Sequence, residues 1–266
     1  MVLYDFQAPD ADATLRSSDE KEFHVHKIIL SLASPVFRGM FGLPQPTGSL
    51  PQIPIVDVTE SSDILQPFIQ YLYPCSPPKV PDVTMWSALY IVADKYQAEG
   101  VMDSLRNILP KFLETSPLRV YALASRWGLE EEARTASTRT LALDILRDFA
   151  REDAELMGGA ACHKLFLLHL NRREAVQTFI VRHPRPTSPI GTTCPCPATP
   201  LVNFILTLCH RVGTRPLVTL GEVHEVANRQ AWPKNCGRKC RFSHGSMNKY
   251  FRSLARGISE LPLSTG

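Results

Sequence analysis

Residues 23–41, with the sequence FHVHKIILSLASPVFRGMF, change their apolar period halfway along. Apolar and polar residues alternate up to His26, which is the pattern of a half-buried strand. The spacing of Ile28, Ile29 and Leu32 is then helical. Ser34 followed by Pro35 predicts the N-cap and the first residue of a second short helix. We therefore expect a strand followed by two short helices.

The neighbouring segments extend this pattern into an α+β domain. DATLRSS at residues 12–18 alternates in the same way and is joined to residues 22–26 by a polar turn, which predicts a hairpin. The β-branched segment IPIVDV at residues 53–58 predicts a third strand. Helical periods follow up to residue 112, interrupted by the Pro-rich segment YPCSPPKVPD at residues 73–82.

The remaining chain has a different texture. Residues 116–180 show only helical periods, which predicts an all-helical extension at 113–183. Residues 184–200 hold six prolines and are predicted to be a linker. Residues 201–266 return to helical periods and contain a basic segment with cysteines. We therefore predict four parts: an α+β domain at 10–112, the extension, the linker, and a C-terminal helical segment.

Composition limits the classes of function. The 266 residues carry a net charge of +3, too small to indicate a nucleic-acid or membrane partner for the whole chain. No signal peptide and no apolar run of 18 residues is visible, so we expect an intracellular protein, cytoplasmic or nuclear, with no membrane contact. In that setting the seven cysteines are expected to be reduced, buried or metal-bound rather than disulfide-paired.

The element order of residues 12–112 (strand, strand, helix, helix, strand, helix, helix, helix) resembles the BTB (POZ) domain. The residues that carry the resemblance are Asp12, Leu15, Phe23, Val25, His26, Lys27, Leu30, Ser34, Phe37, Met40 and Phe41. The sequence pattern of residues 12–46 is similar to that of the large group of BTB proteins found in fungi, in which helices and a variable Cys-containing tail follow the domain.

The resemblance implies a non-enzymatic module for protein–protein interaction. Such domains associate with themselves or with other proteins through their first helices, and many recruit a cullin-type ubiquitin ligase scaffold as substrate adaptors. Carried onto this sequence, the interaction residues are Asp12, His26, Lys27, Val36, Phe37, Met40 and Phe41.

Two features depart from the family pattern. The chain begins a few residues before the first strand, so the helix and exchanged strand of long-form dimers are expected to be missing or replaced. Residues 73–82 also lack the hydrophobic-x-Glu motif used for cullin docking.

His24 and His26 share one face of the strand predicted at residues 22–26 and could together ligate a metal. No third ligand is close in sequence, and neither Ser31 nor Ser34 lies in a nucleophile-elbow context. We interpret His26 as a structural imidazole with local partners, such as Asp12, and predict no catalytic residues.

The C-terminal cysteines form two close pairs, as the ligands of a structural zinc ion often do. The predicted ligands are Cys194, Cys196, Cys236 and Cys240, with His244 as an alternative to one of them. Such a zinc ion would hold the Pro-rich loop against the last helix. The other interpretation is that these are reduced loop cysteines without a metal.

A basic cluster overlaps this segment. Residues 234–256 contain no acidic residue and seven cations: Lys234, Arg238, Lys239, Arg241, Lys249, Arg252 and Arg256. This favours, as an alternative function, a transcription-associated regulator whose basic, zinc-stabilised tail contacts DNA. A solvated helix face explains the same charges, and nucleic acid is not the expected partner. Nor do Phe242, Tyr250 and Phe251 have the spacing of a stacking platform.

Overall fold

The computed structural model describes residue 6 and residues 8–43, 53–186, 196–232 and 242–263. The chain forms two compact units, Met1–Ser116 and Pro117–Gly266. The first unit has the predicted α+β fold, and the second consists of helices. The boundaries of the four predicted parts remain a prediction. In the described part of the chain, no helix has both the length and the hydropathy needed to cross a bilayer.

A small mixed sheet forms one side of the first unit. Its strands are β1 (Ala13–Arg16), β2 (Glu22–Val25) and β3 (Ile55–Asp57), in the order β2-β1-β3. The hairpin prediction is confirmed, because β1 and β2 are antiparallel with Leu15 opposite Phe23. Strand β3 runs parallel to β1 on its other side. The central strand β1 is therefore the most buried of the three.

Helices cover the sheet and complete the first unit. They are α1 (Lys27–Ala33), α2 (Pro35–Phe41), α3 (Ser62–Leu72), α4 (Val83–Lys95) and α5 (Glu99–Arg106), followed by a 3-10 helix at Leu109–Phe112.

The predicted start of α2 is confirmed. The Ser34 hydroxyl accepts a hydrogen bond from the Phe37 N–H at 3.1 Å and donates one to the Tyr96 carbonyl at 2.5 Å. Pro35 occupies the first turn, where its missing N–H costs nothing. Ser34 thus both starts α2 and ties it to the end of α4.

The second unit is a stack of helices. They are α6 (Pro117–Arg126), α7 (Glu130–Thr140), α8 (Ile145–Asp148), α9 (Arg151–Arg182), α10 (Thr199–Thr214), α11 (Leu220–Asn228) and α12 (His244–Glu260). Helix α9 is broken at Gly158, whose φ of 75° lies in the region that favours glycine. The end of α9 packs with α10, α11 and α12 around a core that includes Phe204, Leu208, Leu254 and Ile258.

Two contacts join α9 closely to α12. The buried Arg172 guanidinium donates to the carbonyls of Ile258, Leu261 and Pro262 at 2.8–3.0 Å, so it binds the backbone at and just after the end of α12. Gly257, which directly precedes Ile258, lies so close to the Phe179 ring that a Cβ atom there would overlap it. The glycine is therefore required by packing.

Candidate protein-interaction surface

Helix α1 presents an apolar face to solvent. Ile28 and Leu32 are 65% and 72% exposed, and their spacing of four places them one turn apart on one face. Leu30, between them in sequence, is fully buried and anchors α1 to the core. Since most residues of this short helix are apolar, one helical face cannot bury them all. We call the pair Ile28 and Leu32 the α1 face.

Polar residues fix the start of this helix. The Asp12 carboxylate, in the residue before β1, accepts a hydrogen bond from the Lys27 N–H at 2.7 Å. This satisfies a donor in the first turn of α1, where a negative charge is also favoured by the helix dipole. Asp12 is exposed and Lys27 half-buried, so both remain at the surface beside the α1 face.

His26 has the structural role that we expected but other partners. The backbone N–H of His26 donates to the Tyr73 hydroxyl at 2.8 Å, and the Nδ1 atom of its ring lies 3.0 Å from the same oxygen. Its Nε2 lies 3.4 Å from the carboxylate of Asp10, whereas Asp12 binds the next residue instead. The side chain thus joins β2 to the end of α3. Sequence reasoning missed Tyr73 because it lies 47 residues away.

The predicted interaction residues of α2 face different ways. Phe37 has no exposed surface and stacks on Tyr96, with ring centroids 4.5 Å apart, so its side chain belongs to the core. Val36, Met40 and Phe41 are half-buried and can contribute only part of their surface to a partner. Sequence reasoning expected an interaction surface on the first helices but did not name Ile28 and Leu32, because their helical spacing alone does not show which residues of α1 are exposed.

The carboxylate of Glu60 is a largely buried charge next to the end of α4. The Glu60 carboxylate receives hydrogen bonds from Lys95 Nζ at 2.6 Å and from the Tyr96 hydroxyl at 3.0 Å. Burial by itself would raise the pKa of Glu60, but these bonds lower it below its usual value. The pKa of the Tyr96 hydroxyl is raised by burial and by the neighbouring carboxylate. Glu60 therefore stays ionised and holds the end of α4.

The zinc prediction falls mostly outside the described residues. Cys194, Cys236 and Cys240 are not among them, and within the described ranges no group of three or more His, Cys, Asp or Glu side chains could hold a metal. Cys196 is disulfide-bonded, which differs from the expected reduced state, whereas Cys75, Cys162 and Cys209 are free thiols. The zinc site stays a prediction, but Cys196 could not be one of its ligands while it is disulfide-bonded.

The basic cluster is described only in part. Lys249, Arg252 and Arg256 lie exposed on α12, whereas the other four cations lie outside the described residues. A DNA-contacting tail therefore stays a prediction. Two of the aromatic residues do come together in space: Phe242 and Phe251 line one cavity of about 830 Å³, in which His244 is also found.

A smaller cavity of about 250 Å³ lies between α8, α9 and the end of α10. His169 is part of its wall and is almost fully buried, with Nε2 at 3.0 Å from the Thr140 hydroxyl. Desolvation lowers the pKa of His169 to about 4, so the ring is neutral at physiological pH. This histidine helps to hold α7 against α9.

The fold and the residues around α1 agree with one known family. Residues 5–113 match the family described as the BTB/POZ domain. The chain therefore contains a BTB/POZ domain, an interaction fold without enzymatic activity of its own, and the α1 face belongs to it. No curated protein matches the chain. Residues 5–113 thus form a protein–protein interaction module.

Proposed function

We propose that the BTB/POZ domain joins two copies of this chain through the α1 face. The proposal rests on the exposure of Ile28 and Leu32 on one side of α1, whose other side is buried in the core. Single exposed apolar residues are common on protein surfaces, but two neighbours on a rigid helix offer a continuous apolar contact. A second copy would cover it.

The surroundings of the α1 face suit such an interface. Stable interfaces have an apolar centre and a polar rim. Asp12 and Lys27 supply charged groups at one end of α1, and the Arg38 guanidinium, bonded to the Ser31 carbonyl at 3.0 Å, lies near the other. In a two-fold dimer each face meets its own copy, so one surface is enough to build the interface.

We further propose that the assembled protein acts as a substrate adaptor for a cullin-type ubiquitin ligase. Support comes from the BTB/POZ family, in which this role is common, and from the second unit, which supplies a separate helical surface for selecting a substrate. Residues 73–82 lack the docking motif found in many adaptors. Scaffold recruitment would then use other residues of the domain.

Co-capture of two differently tagged full-length copies tests self-association. The wild-type pair is expected to co-purify, and the double variant Ile28→Asp with Leu32→Asp to lose the second copy, because two carboxylates would be desolvated at the interface. Ile91→Asp is the matched control, since Ile91 is also exposed, at 47%, but lies on α4. Retention of the second copy by the double variant would contradict the proposed interface.

A second arm uses the same proteins to test the adaptor role. A purified cullin-type scaffold is added to the immobilised wild-type chain, and the bound fraction is measured. Saturable binding supports the adaptor proposal. Its absence while the two tagged copies still co-purify would overturn the adaptor role and leave self-association standing, so that the two proposals fail separately.

A further inference from the structure

The cavity of about 250 Å³ between α8, α9 and the end of α10 has polar groups of both signs in its wall. Asp144 directly precedes α8, His169 and Arg173 lie on α9, and Thr214 is the last residue of α10. A cavity of about 150 Å³ is already large enough to hold benzene. The space beside α9 is therefore sufficient for a small organic molecule that meets both charges.

The two charged side chains of this wall are not neutralised. Neither the Asp144 carboxylate nor the Arg173 guanidinium forms an ion pair or a side-chain hydrogen bond with another described residue. In the same unit Arg119, Arg151 and Arg211 each have a carboxylate partner at 2.6–3.0 Å. Asp144 and Arg173 are both half-buried, where charges are screened less than at an open surface. A ligand that carries both signs of charge can pair with both.

His169 adds an unused acceptor to the same wall. The Thr140 hydroxyl donates to the Ser137 carbonyl at 2.6 Å, so its oxygen accepts from the Nε2–H of the neutral His169 ring at 3.0 Å. The Nδ1 atom then carries a lone pair, and it has no partner among the described residues although His169 is only 5% exposed. An unpaired buried acceptor is unfavourable. A ligand N–H group beside this ring would supply the partner.

An apolar surface surrounds the polar groups. Leu146 on α8 and Phe166, Leu167 and Leu170 on α9 line the same cavity and are 38–81% exposed. Phe166, Leu170 and Arg173 follow one another at spacings of four and three, so they share one side of α9. The apolar side chains thus have surface left to bury, and an aliphatic chain that covers it gains free energy.

This combination of groups narrows the class of ligand. A carboxylic acid without an amine would be repelled by Asp144, and an amine without a carboxylate by Arg173. A purely apolar molecule would take both charges out of water without pairing them, which is costly. The described residues also offer no group of three or more His, Cys, Asp or Glu side chains that could hold a metal ion.

We propose that this cavity binds a free α-amino acid with an aliphatic side chain, such as leucine. Its carboxylate pairs with Arg173, and its ammonium group donates to Asp144 and to the Nδ1 atom of His169. Its side chain lies against Phe166 and Leu170. The second unit would then bind a metabolite as well as carry the BTB/POZ domain. The proposal is independent of self-association through the α1 face.

Isothermal titration calorimetry of the full-length chain tests the proposal with leucine, isoleucine and valine. Each is compared with the amine that lacks its carboxylate and the acid that lacks its ammonium group, which for leucine are isoamylamine and isocaproate. We expect saturable binding of at least one amino acid with a Kd below about 1 mM, and roughly tenfold weaker binding of both its analogues. The absence of saturable amino-acid binding would overturn the proposal. So would an analogue that binds as tightly as its amino acid.

Two pairs of variants locate the charges. Arg173→Gln should weaken amino-acid binding roughly tenfold and remove the preference over the amine, because the carboxylate loses its partner. Asp144→Asn should weaken it to a similar extent and remove the preference over the acid, and its side chain makes no helix cap that the substitution would break. The matched controls Arg147→Gln and Glu174→Gln, at exposed neighbours outside the cavity wall, should bind as wild type does.

The outcomes separate a defined site from general attraction by charge. Folding of each variant is checked by circular dichroism. Unchanged binding and unchanged preferences in folded Arg173→Gln and Asp144→Asn variants would overturn the location of the site. Equal weakening by the control substitutions would contradict a defined position for the two charges of the ligand.

Discussion

Each of the two units contains an aromatic cluster, and the cluster in the second unit borders a cavity. In the first unit Phe37, Tyr96 and Phe68 form a closed stack, with centroids 4.5 and 5.5 Å apart, and the hydroxyl at its edge is bonded to Glu60. In the second unit Trp232 and Phe251 meet around a cavity. A closed cluster fills the core of its unit, whereas the second cluster leaves open space beside its rings, although the Trp232 indole N–H is bonded to the Ala227 carbonyl at 2.7 Å.

The largest effect is expected from opening the closed stack. Phe37→Ala should lower the free energy of unfolding by about 4 kcal/mol, because it removes a fully buried ring and leaves a cavity between α2 and α4. Urea denaturation of the full-length chain measures the loss. Phe41→Ala is the control, since Phe41 is half-buried at the edge of the stack and should cost much less. Equal losses would show that the stack is not closed.

A smaller effect should separate the tight and the open parts of α12. Gly257→Ala should cost about 2 kcal/mol, because its methyl group overlaps the Phe179 ring and the ring or α9 must move. Gly245→Ala, in the same helix beside the cavity, should be neutral or slightly stabilising, since alanine has the higher helix propensity and meets nothing there. Thermal denaturation compares the two. A neutral Gly257→Ala would contradict the close approach of α9 and α12.

The smallest effect concerns the polar edge of the closed stack. Because the pKa of Glu60 is lower in the folded state, its ionised form stabilises the fold above the unfolded pKa of about 4.3, and this stabilisation is lost as pH falls through the lower folded pKa. Glu60→Gln should cost about 1 kcal/mol at neutral pH, and the difference from wild type should shrink in acid. Denaturation at several pH values measures it. A difference that grows in acid would contradict the account.

Local patterns were sufficient to predict the first unit. The alternation before His26, the Ser34 and Pro35 pair and the helical spacing of the later segments each describe contacts within a few residues, and the structure has the expected strands and helices. The partners of His26 could not be predicted in this way. Tyr73 reaches it only after α3 has packed against the sheet.

The surfaces were harder to predict than the elements. A helical period shows which residues share a side of α1, but several apolar residues compete for one buried face, and only packing shows that Leu30 is buried while Ile28 and Leu32 are exposed. In the second unit Trp232 follows α11 and Phe251 lies on α12, 19 positions later in the sequence. No period connects residues at such a distance.

The most direct test of the central claim, association through the α1 face, is sedimentation equilibrium of the full-length chain over a range of concentrations. We expect the wild-type mass to approach twice 29.7 kDa as concentration rises, and the Ile28→Asp and Leu32→Asp double variant to stay at the mass of one chain. Ile91→Asp should behave as wild type does. A wild-type chain that remains a monomer at every concentration, or a double variant that still dimerises, would contradict it.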